Sequence, residues 1–219
     1  MNRQEIKLET KRIMKENGLN IYSATLTFPV IFMLAMVFDG NLLLSIILGA
    51  IATTVTLTGI QLHRGNIEKL GLQNNFNLNC FKITDYVDLF LLYGLVFIYV
   101  VLWSFLLVIP GLIKSYSYSQ AIPIFFDQKA AGKPLTYNQA ITKSRELMDG
   151  NKFAYFVFLL SFIGWGLLVV LAFSISIALF IPLGFISIIG IILSSLFLWW
   201  ITIYQTFSCA GFYVNLKSK

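Results

Sequence analysis

The chain has 219 residues, of which 58% are hydrophobic and 12% are charged, and its mean hydropathy is +0.79. Soluble globular domains are about 45–50% apolar and about 25% charged, so this composition excludes an ordinary water-soluble domain and indicates one domain of membrane-spanning helices. The formal net charge of +6 does not indicate nucleic-acid binding. The basic residues flank apolar stretches, where membrane topology accounts for them.

Residues 1–20 are polar and precede the first apolar stretch. Basic residues recur every four positions on one helical face: Arg3, Lys7, Lys11 and Lys15. We predict either a short basic helix on the cytoplasmic membrane surface or a solvated arm. The pair Asn17-Gly18 is a plausible stop for such a helix.

Two apolar spans follow, over residues 21–38 and 42–62, and Asp39-Gly40-Asn41 forms the turn between them. About 20 apolar residues cross a hydrocarbon core about 30 Å thick, so both stretches are long enough. A polar loop then leads to a third span over 89–109, which Pro110-Gly111 is predicted to end. Asp85 and Asp88 at the start of this span are predicted to be solvated acids at a helix N-terminus.

A fourth crossing, over residues 112–126, follows from the charges that come after it. The stretch contains Lys114 and several hydroxyl groups, so hydropathy alone would leave it outside the membrane. Without this crossing, the five basic residues between 127 and 152 would lie on the outer side, against the rule that basic loops stay in the cytoplasm. Pro123 is predicted to bend the inner end of the span. Lys114 would then lie near the outer side, where it reaches lipid headgroups or pairs with Asp39.

Residues 136–149 have the apolar periodicity of an amphipathic cytoplasmic helix, with a capping box at Thr136 and Gln139. This helix packs either on the bilayer surface or on the bundle. A fifth span over 153–173 and a sixth over 182–204 complete the chain. The predicted fold is an all-α bundle of about six transmembrane helices and two cytoplasmic amphipathic helices, with both termini inside.

Polar side chains within the spans form the candidate site. They either line a polar cavity in the bundle or join neighbouring helices by hydrogen bonds: Thr54, Thr58, Gln61, Ser115, Ser117, Tyr118, Ser119, Gln120 and Gln205. A second group is predicted to contact lipid or a protein partner: Lys114, Arg145, Glu146 and Trp165.

Several strings in the second half of the chain resemble a known bacterial family of multi-pass membrane proteins, domain of unknown function 975. They are IPGLIK at 109–114, SYSQA at 117–121, SRELMDGNK at 144–152, SFIGW at 161–165, Leu102-Trp103 and the pattern Ala210-x-Phe212-Tyr213. Gln120 stands where the family often has methionine. The resemblance implies a six-helix membrane fold and implies no reaction.

Residues with catalytic potential are sparse. The chain has a single histidine, His63, and contains neither a phosphate-binding glycine loop nor a nucleophile-elbow sequence. Two thiols, Cys80 and Cys209, and one imidazole cannot supply a four-ligand zinc site. We therefore expect no enzymatic activity, no metal and no cofactor.

Two functions remain open. One is a non-catalytic accessory or scaffold protein of the bacterial cell membrane, acting in envelope stress, export or protection against membrane-active peptides. The alternative is a small transporter or lipid-handling protein with a polar cavity lined by the fourth span. The expected partners are anionic lipid headgroups on the cytoplasmic side and a membrane protein or a second copy of this chain, with no nucleic acid.

Overall fold

The computed structural model describes residues 3–25, 53, 55–64, 83–178 and 184–218, and the regular structure within them is α-helical. The predicted all-α class is confirmed. In chain order the helices are α1 (Arg3–Thr25), α2 (55–63), α3 (Ile83–Leu106), α4 (Val108–Tyr118), α5 (Ala121–Ala130), α6 (Tyr137–Leu147), α7 (Lys152–Ala178) and α8 (Phe185–Lys217).

Three of the described helices are long and apolar enough to cross a membrane, over Val87–Phe105, Lys152–Ala178 and Ile188–Lys217. They correspond to the predicted third, fifth and sixth spans. Three is fewer than the six predicted. The predicted spans over 21–38 and 42–62 lie largely outside the described residues.

The segment predicted as the fourth span, over residues 112–126, is not one continuous helix. It is divided between α4, with 11 residues, and α5, with 10 residues. At 1.5 Å per residue, each is about 15 Å long and too short to cross alone. Serine hydroxyls donate to carbonyls of the preceding turn, which favours a bend here. Pro123 lies in the first turn of α5, where its missing N–H costs nothing.

The turn between α3 and α4 also differs from the prediction. Leu107, in an extended conformation with φ −167° and ψ 144°, separates the two helices, so α3 ends before Pro110-Gly111. Pro110 lies in the first turn of α4, a position that proline tolerates well. Gly111 is required for close packing, because a Cβ there would lie 2.1 Å from the Oγ of Ser104.

Helices α4 and α5 run back along α3. The rings of Tyr99 and Tyr118 lie 6.1 Å apart midway along the hairpin. At its open end, the Nζ of Lys129, near the end of α5, donates to Asp85 in the first turn of α3 at 2.6 Å. The chain therefore runs back to the end of the bundle at which α3 begins.

Helix α1 contains most of residues 1–20, for which a basic surface helix or a solvated arm was predicted, and one of its faces is packed in the bundle. It continues through Asn17-Gly18 to Thr25. Its buried stripe consists of Ile6, Thr10, Ile13, Met14, Asn17 and Ile21. The polar members remain compatible with the helix because the hydroxyl of Thr10 donates to the carbonyl of Ile6 and the amide of Asn17 to that of Ile13. The stripe packs mainly against α8.

Helix α6 packs on the bundle through its apolar face, where Ala140, Ile141 and Ser144 are buried. Its capping box is formed: the backbone N–H of Gln139 donates to the Oγ1 of Thr136, and the backbone N–H of Thr136 donates to the Oε1 of Gln139. The polar face of α6 remains exposed.

Helices α7 and α8 form an antiparallel hairpin joined by aromatic contacts. Ring centroids lie 5.6 Å apart for Phe162 and Tyr204, and 5.3 Å apart for Phe158 and Phe212. The outward faces carry exposed aliphatic side chains, including Leu167, Val170 and Leu193. Such faces suit contact with lipid chains.

Candidate functional site

A cavity of about 150 Å³ lies at the junction between α4 and α5. Its lining comes from five different parts of the bundle: Thr53, Thr56, Leu57, Tyr93, Ser119, Gln120, Ile122, Pro123, Tyr155 and Cys209. Hydroxyl groups, an amide and a thiol supply its polar surface, and no residue of the lining carries a formal charge at neutral pH. The cavity is therefore suited to an uncharged group that forms hydrogen bonds, because an ion would lack a compensating charge.

The polar groups of the lining interact across helices. The hydroxyls of Thr53 and Tyr93 lie 3.5 Å apart. The Tyr155 hydroxyl lies 4.0 Å from the Sγ of Cys209 and also interacts with the side chains of Ser119 and Gln120. These contacts connect the interruption between helices α4 and α5 to α7 and α8.

Ser144 of α6 forms hydrogen bonds to the backbone at the interruption between helices α4 and α5. Its hydroxyl donates to the carbonyl of Ser117 at 2.7 Å and accepts from the backbone N–H of Gln120 at 3.2 Å. Ser144 is fully buried. A helix break inside a bundle leaves backbone groups that need partners, and one hydroxyl satisfies a donor and an acceptor here. The polar serine in the apolar stripe of α6 is therefore a structural part of the site.

A first charge cluster holds the far end of α5 and centres on Asp127, whose side chain is 12% exposed. The guanidinium of Arg64 donates to both carboxylate oxygens, at 2.6 and 3.1 Å. Lys217 and the hydroxyl of Tyr213 also donate to Oδ2. Burial alone would raise the pKa of Asp127, but these hydrogen bonds outweigh it and hold the pKa well below its usual range. Asp127 therefore remains a carboxylate that joins α2, α5 and α8.

A second charge cluster lies two residues further along α5. Lys129 donates to Asp85 and Asp88, and the hydroxyl of Tyr137 donates to Asp88 at 2.8 Å. Burial lowers the pKa of Lys129, but the two carboxylates raise it overall. The prediction that Asp85 and Asp88 are solvated acids is therefore wrong, because both pair with Lys129 and connect α3 to α5 and α6.

His63 lies where α1, α2 and α8 meet. Its Nε2 is 3.2 Å from the carbonyl oxygen of Phe207 and 3.4 Å from the Oγ1 of Thr10. Burial lowers the pKa of His63, and the smaller effects of Glu9 and the Phe207 carbonyl oppose this. The imidazole is therefore neutral at pH 7, packed close to Gly211, where a Cβ would lie 2.7 Å from its Cε1.

Two of the predicted cavity residues, Ser119 and Gln120, line the observed cavity. Thr54 lies outside the described residues. The other predicted residues lie away from the cavity lining: Thr58, Gln61, Ser115, Ser117, Tyr118 and Gln205. Ser117 and Tyr118 are buried and Gln61 is exposed.

The cavity is lined by a face of α2 and its preceding residues that neighbours the face predicted from the sequence. Thr53, Thr56 and Leu57 line the cavity, and Thr54 and Thr58 were expected. Tyr93, Tyr155 and Cys209 were not predicted. The sequence feature that these three residues share is a polar group inside an apolar span. Many other positions of the chain have the same feature, so it does not single out the cavity lining.

The predicted lipid or partner contacts lie at several places on the surface. The Nζ of Lys114 lies 4.2 Å from the centroid of the Trp103 ring. Lys114 also experiences the positive charges of Arg145 and Lys152, so it lies among basic residues that the sequence assigned to the opposite side. Arg145 and Glu146 are exposed on α6, and half-exposed Trp165 meets Phe197 across the α7–α8 hairpin. Asp39, the other predicted partner of Lys114, lies outside the described residues.

Within the described ranges, no three His, Cys, Asp or Glu side chains are grouped so as to hold a metal ion. The described elements define an all-α protein, and three of its helices are long and apolar enough to cross a membrane. The chain belongs to the family described as protein of unknown function (DUF975), whose profile matches residues 21–219. This confirms the resemblance seen in the sequence. No curated protein and no solved structure shows a significant match.

Proposed function

We propose that the protein is a multi-span integral membrane protein of the bacterial cytoplasmic membrane, with both termini and the basic loops inside. The support is the meeting of Arg64, Asp127 and Lys217 at one end of the bundle, with Lys129 beside them on α5. These residues come from the segments that charge asymmetry assigns to the cytoplasm. The first turns of α1 also lie against the last turns of α8, because Ile6 is next to Gly211.

We further propose that the protein is a non-catalytic transporter for a small uncharged polar solute, which occupies the cavity at the α4–α5 break. The observation that carries this proposal is a cavity of about 150 Å³ with polar but uncharged lining. At about 30 Å³ per water, it has room for on the order of five water-sized groups. A broken helix beside a polar cavity is also a common arrangement for substrate sites in membrane transporters.

Glycerol permeability tests this proposal. Liposomes containing the purified protein are mixed rapidly with a hyperosmotic glycerol solution. The change in liposome volume as glycerol enters is followed by stopped-flow light scattering. We expect faster glycerol entry than in protein-free liposomes and a loss of that increment for Ser119→Leu, which fills the cavity. The matched control is Ser115→Leu, because Ser115 lies four residues earlier, within α4, and outside the cavity lining. Equal rates for the two variants, or no increment in the wild type, would contradict the proposal.

A second candidate is the accessory or scaffold function. The observation in its favour is the exposed charged face of α6, which includes Lys143, Arg145 and Glu146. The apolar face is buried against the bundle, so a partner would meet charges and not a hydrophobic stripe. Reversing two charges with Lys143→Glu and Glu146→Lys leaves the buried face intact. We expect this variant to lose a stress-protection phenotype if the protein is a scaffold, and to retain glycerol transport.

A further inference from the structure

Three cations from three different helices come together beside the α4–α6–α7 junction. Tyr116 of α4 packs against Phe156 of α7 with ring centroids 5.8 Å apart, and Ser117 of α4 bonds to Ser144 of α6. Lys114, Arg145 and Lys152 each lie within about one helical turn of these contacts. The positive charges of Arg145 and Lys152 both act on Lys114. The packing of the helices thus brings Arg145 and Lys152 close enough for their charges to act on Lys114.

This positive charge is only partly compensated. Lys152 lies 3.3 Å from Asp149, whose own side chain is 82% exposed. Within the described ranges, no carboxylate lies within 4 Å of the charged groups of Lys114 or Arg145. Glu146 is exposed next to Arg145 without an ion pair among these contacts. A cluster of this kind is stabilised by an anion that bridges its members.

Apolar and aromatic side chains surround the same cations. The Trp103 ring lies under Lys114, and Phe153 beside Lys152 is 75% exposed. Leu112 and Ile113 next to Lys114 are also exposed. Exposed aromatic rings beside lysine and arginine are typical of the level of lipid headgroups. A soluble anion would leave this apolar surface in water, whereas a phospholipid covers it with acyl chains.

We propose that Lys114, Arg145 and Lys152 form a binding site for the phosphate of an anionic phospholipid, whose acyl chains lie against Leu112, Ile113 and Phe153. The guanidinium of Arg145 donates to the phosphate in a fork, and the two ammonium groups contribute point charges. The site differs from the uncharged cavity in its residues and in its ligand. It goes beyond the proposed transport of a neutral solute and does not depend on it.

Native mass spectrometry of the purified full-length protein tests the site. Detergent-solubilised protein is titrated with phosphatidylglycerol or with phosphatidylcholine of the same acyl chains, and bound lipid is counted. The test variant is Lys114→Gln/Arg145→Gln/Lys152→Gln. The control is Lys11→Gln/Lys133→Gln/Lys143→Gln, which removes the same charge from exposed positions. The single variant Arg145→Gln, at an exposed position, measures one contact without disturbing the bundle.

We expect tighter binding of phosphatidylglycerol than of phosphatidylcholine by the wild type. Arg145→Gln should weaken phosphatidylglycerol binding about fivefold, the usual contribution of one cation near a membrane surface. The triple variant should remove the preference, and the control triple variant should keep it. Equal binding of the two lipids by the wild type, or equal losses in the two triple variants, would overturn the proposal. Displacement of phosphatidylglycerol by millimolar inorganic phosphate would also overturn it, because it would show a site for the free anion.

Discussion

The two ends of α5 contact the rest of the protein through opposite kinds of chemistry. At its C-terminal end, Asp127 and Lys129 pair with charged groups from α2, α3 and α8. At its N-terminal end, Ser119 and Gln120 meet only uncharged groups beside the cavity. Along α5, formal charge therefore lies at the C-terminal end, where ion pairs compensate it. At the α4–α5 break, the Ser144 hydroxyl satisfies two backbone groups without bringing a formal charge to the cavity.

The charged end should show the largest loss of stability. Asp127→Ala removes the shared acceptor of Arg64, Lys217 and Tyr213 and leaves the half-buried guanidinium without its carboxylate. We expect about 3 kcal/mol of destabilisation, the low end of the range for breaking a buried ion pair. The measurement is reversible unfolding in mixed micelles with increasing denaturing detergent.

Asp149→Ala is the matched control for this experiment. Asp149 also pairs with a lysine, but its side chain is 82% exposed. Its removal should change the free energy of unfolding by less than about 0.5 kcal/mol. Similar losses for Asp127→Ala and Asp149→Ala would show that the cluster around Asp127 does not hold α5.

The uncharged end should show an intermediate effect. Ser144→Ala removes the hydroxyl that satisfies both Ser117 and Gln120, so two buried backbone groups lose their partner. We expect about 2 kcal/mol of destabilisation in the same unfolding assay. Thr142→Ala is the control, because that hydroxyl is exposed and bonds only to the carbonyl of Asn138 in its own helix. An equal, small effect of both substitutions would mean that the break does not need Ser144.

The smallest effect should be a pH dependence that arises from His63. Its pKa is lowered in the folded protein from the usual value of 6.5. The contribution of the neutral imidazole is therefore complete above about pH 6.5 and decreases as the pH falls toward the lowered pKa, because the unfolded chain binds the proton first. Thermal unfolding midpoints should fall between pH 7 and pH 5 in the wild type. His63→Gln should flatten the profile in this window, and an unchanged profile would exclude His63 as its source.

The sequence predicted which residues would share an end of the bundle better than it predicted their partners. Charge asymmetry grouped Arg64, Lys129 and Lys217 on one side, and the structure brings them together around Asp127 and the start of α3. The pairings themselves depend on how each helix is rotated about its axis. A strongly apolar span gives little information on rotation, so Asp85 was predicted to be solvated.

The sequence also failed to give the helix rotation accurately enough to identify the cavity lining. Each residue turns a helix by about 100°, so choosing Thr54 and Thr58 instead of Thr53 and Thr56 selects a neighbouring face. The division of the fourth span into α4 and α5 was also missed, although the serines and Pro123 that favour it are plain in the sequence. Ser144 offered a better clue, because a hydroxyl in an otherwise apolar stripe needs a partner inside the bundle.

The most direct test of the account is the accessibility of Cys209, which lines the cavity. In a Cys80→Ser background, the protein in native membranes is treated with neutral methyl methanethiosulfonate or with its negatively charged sulfonatoethyl analogue, and modification is read by mass spectrometry. We expect the neutral reagent to modify Cys209 and the charged reagent to fail. Ser119→Leu should block the reaction and Ser115→Leu should not. Equal modification by both reagents, or a rate that Ser119→Leu leaves unchanged, would contradict an uncharged ligand cavity at the α4–α5 break.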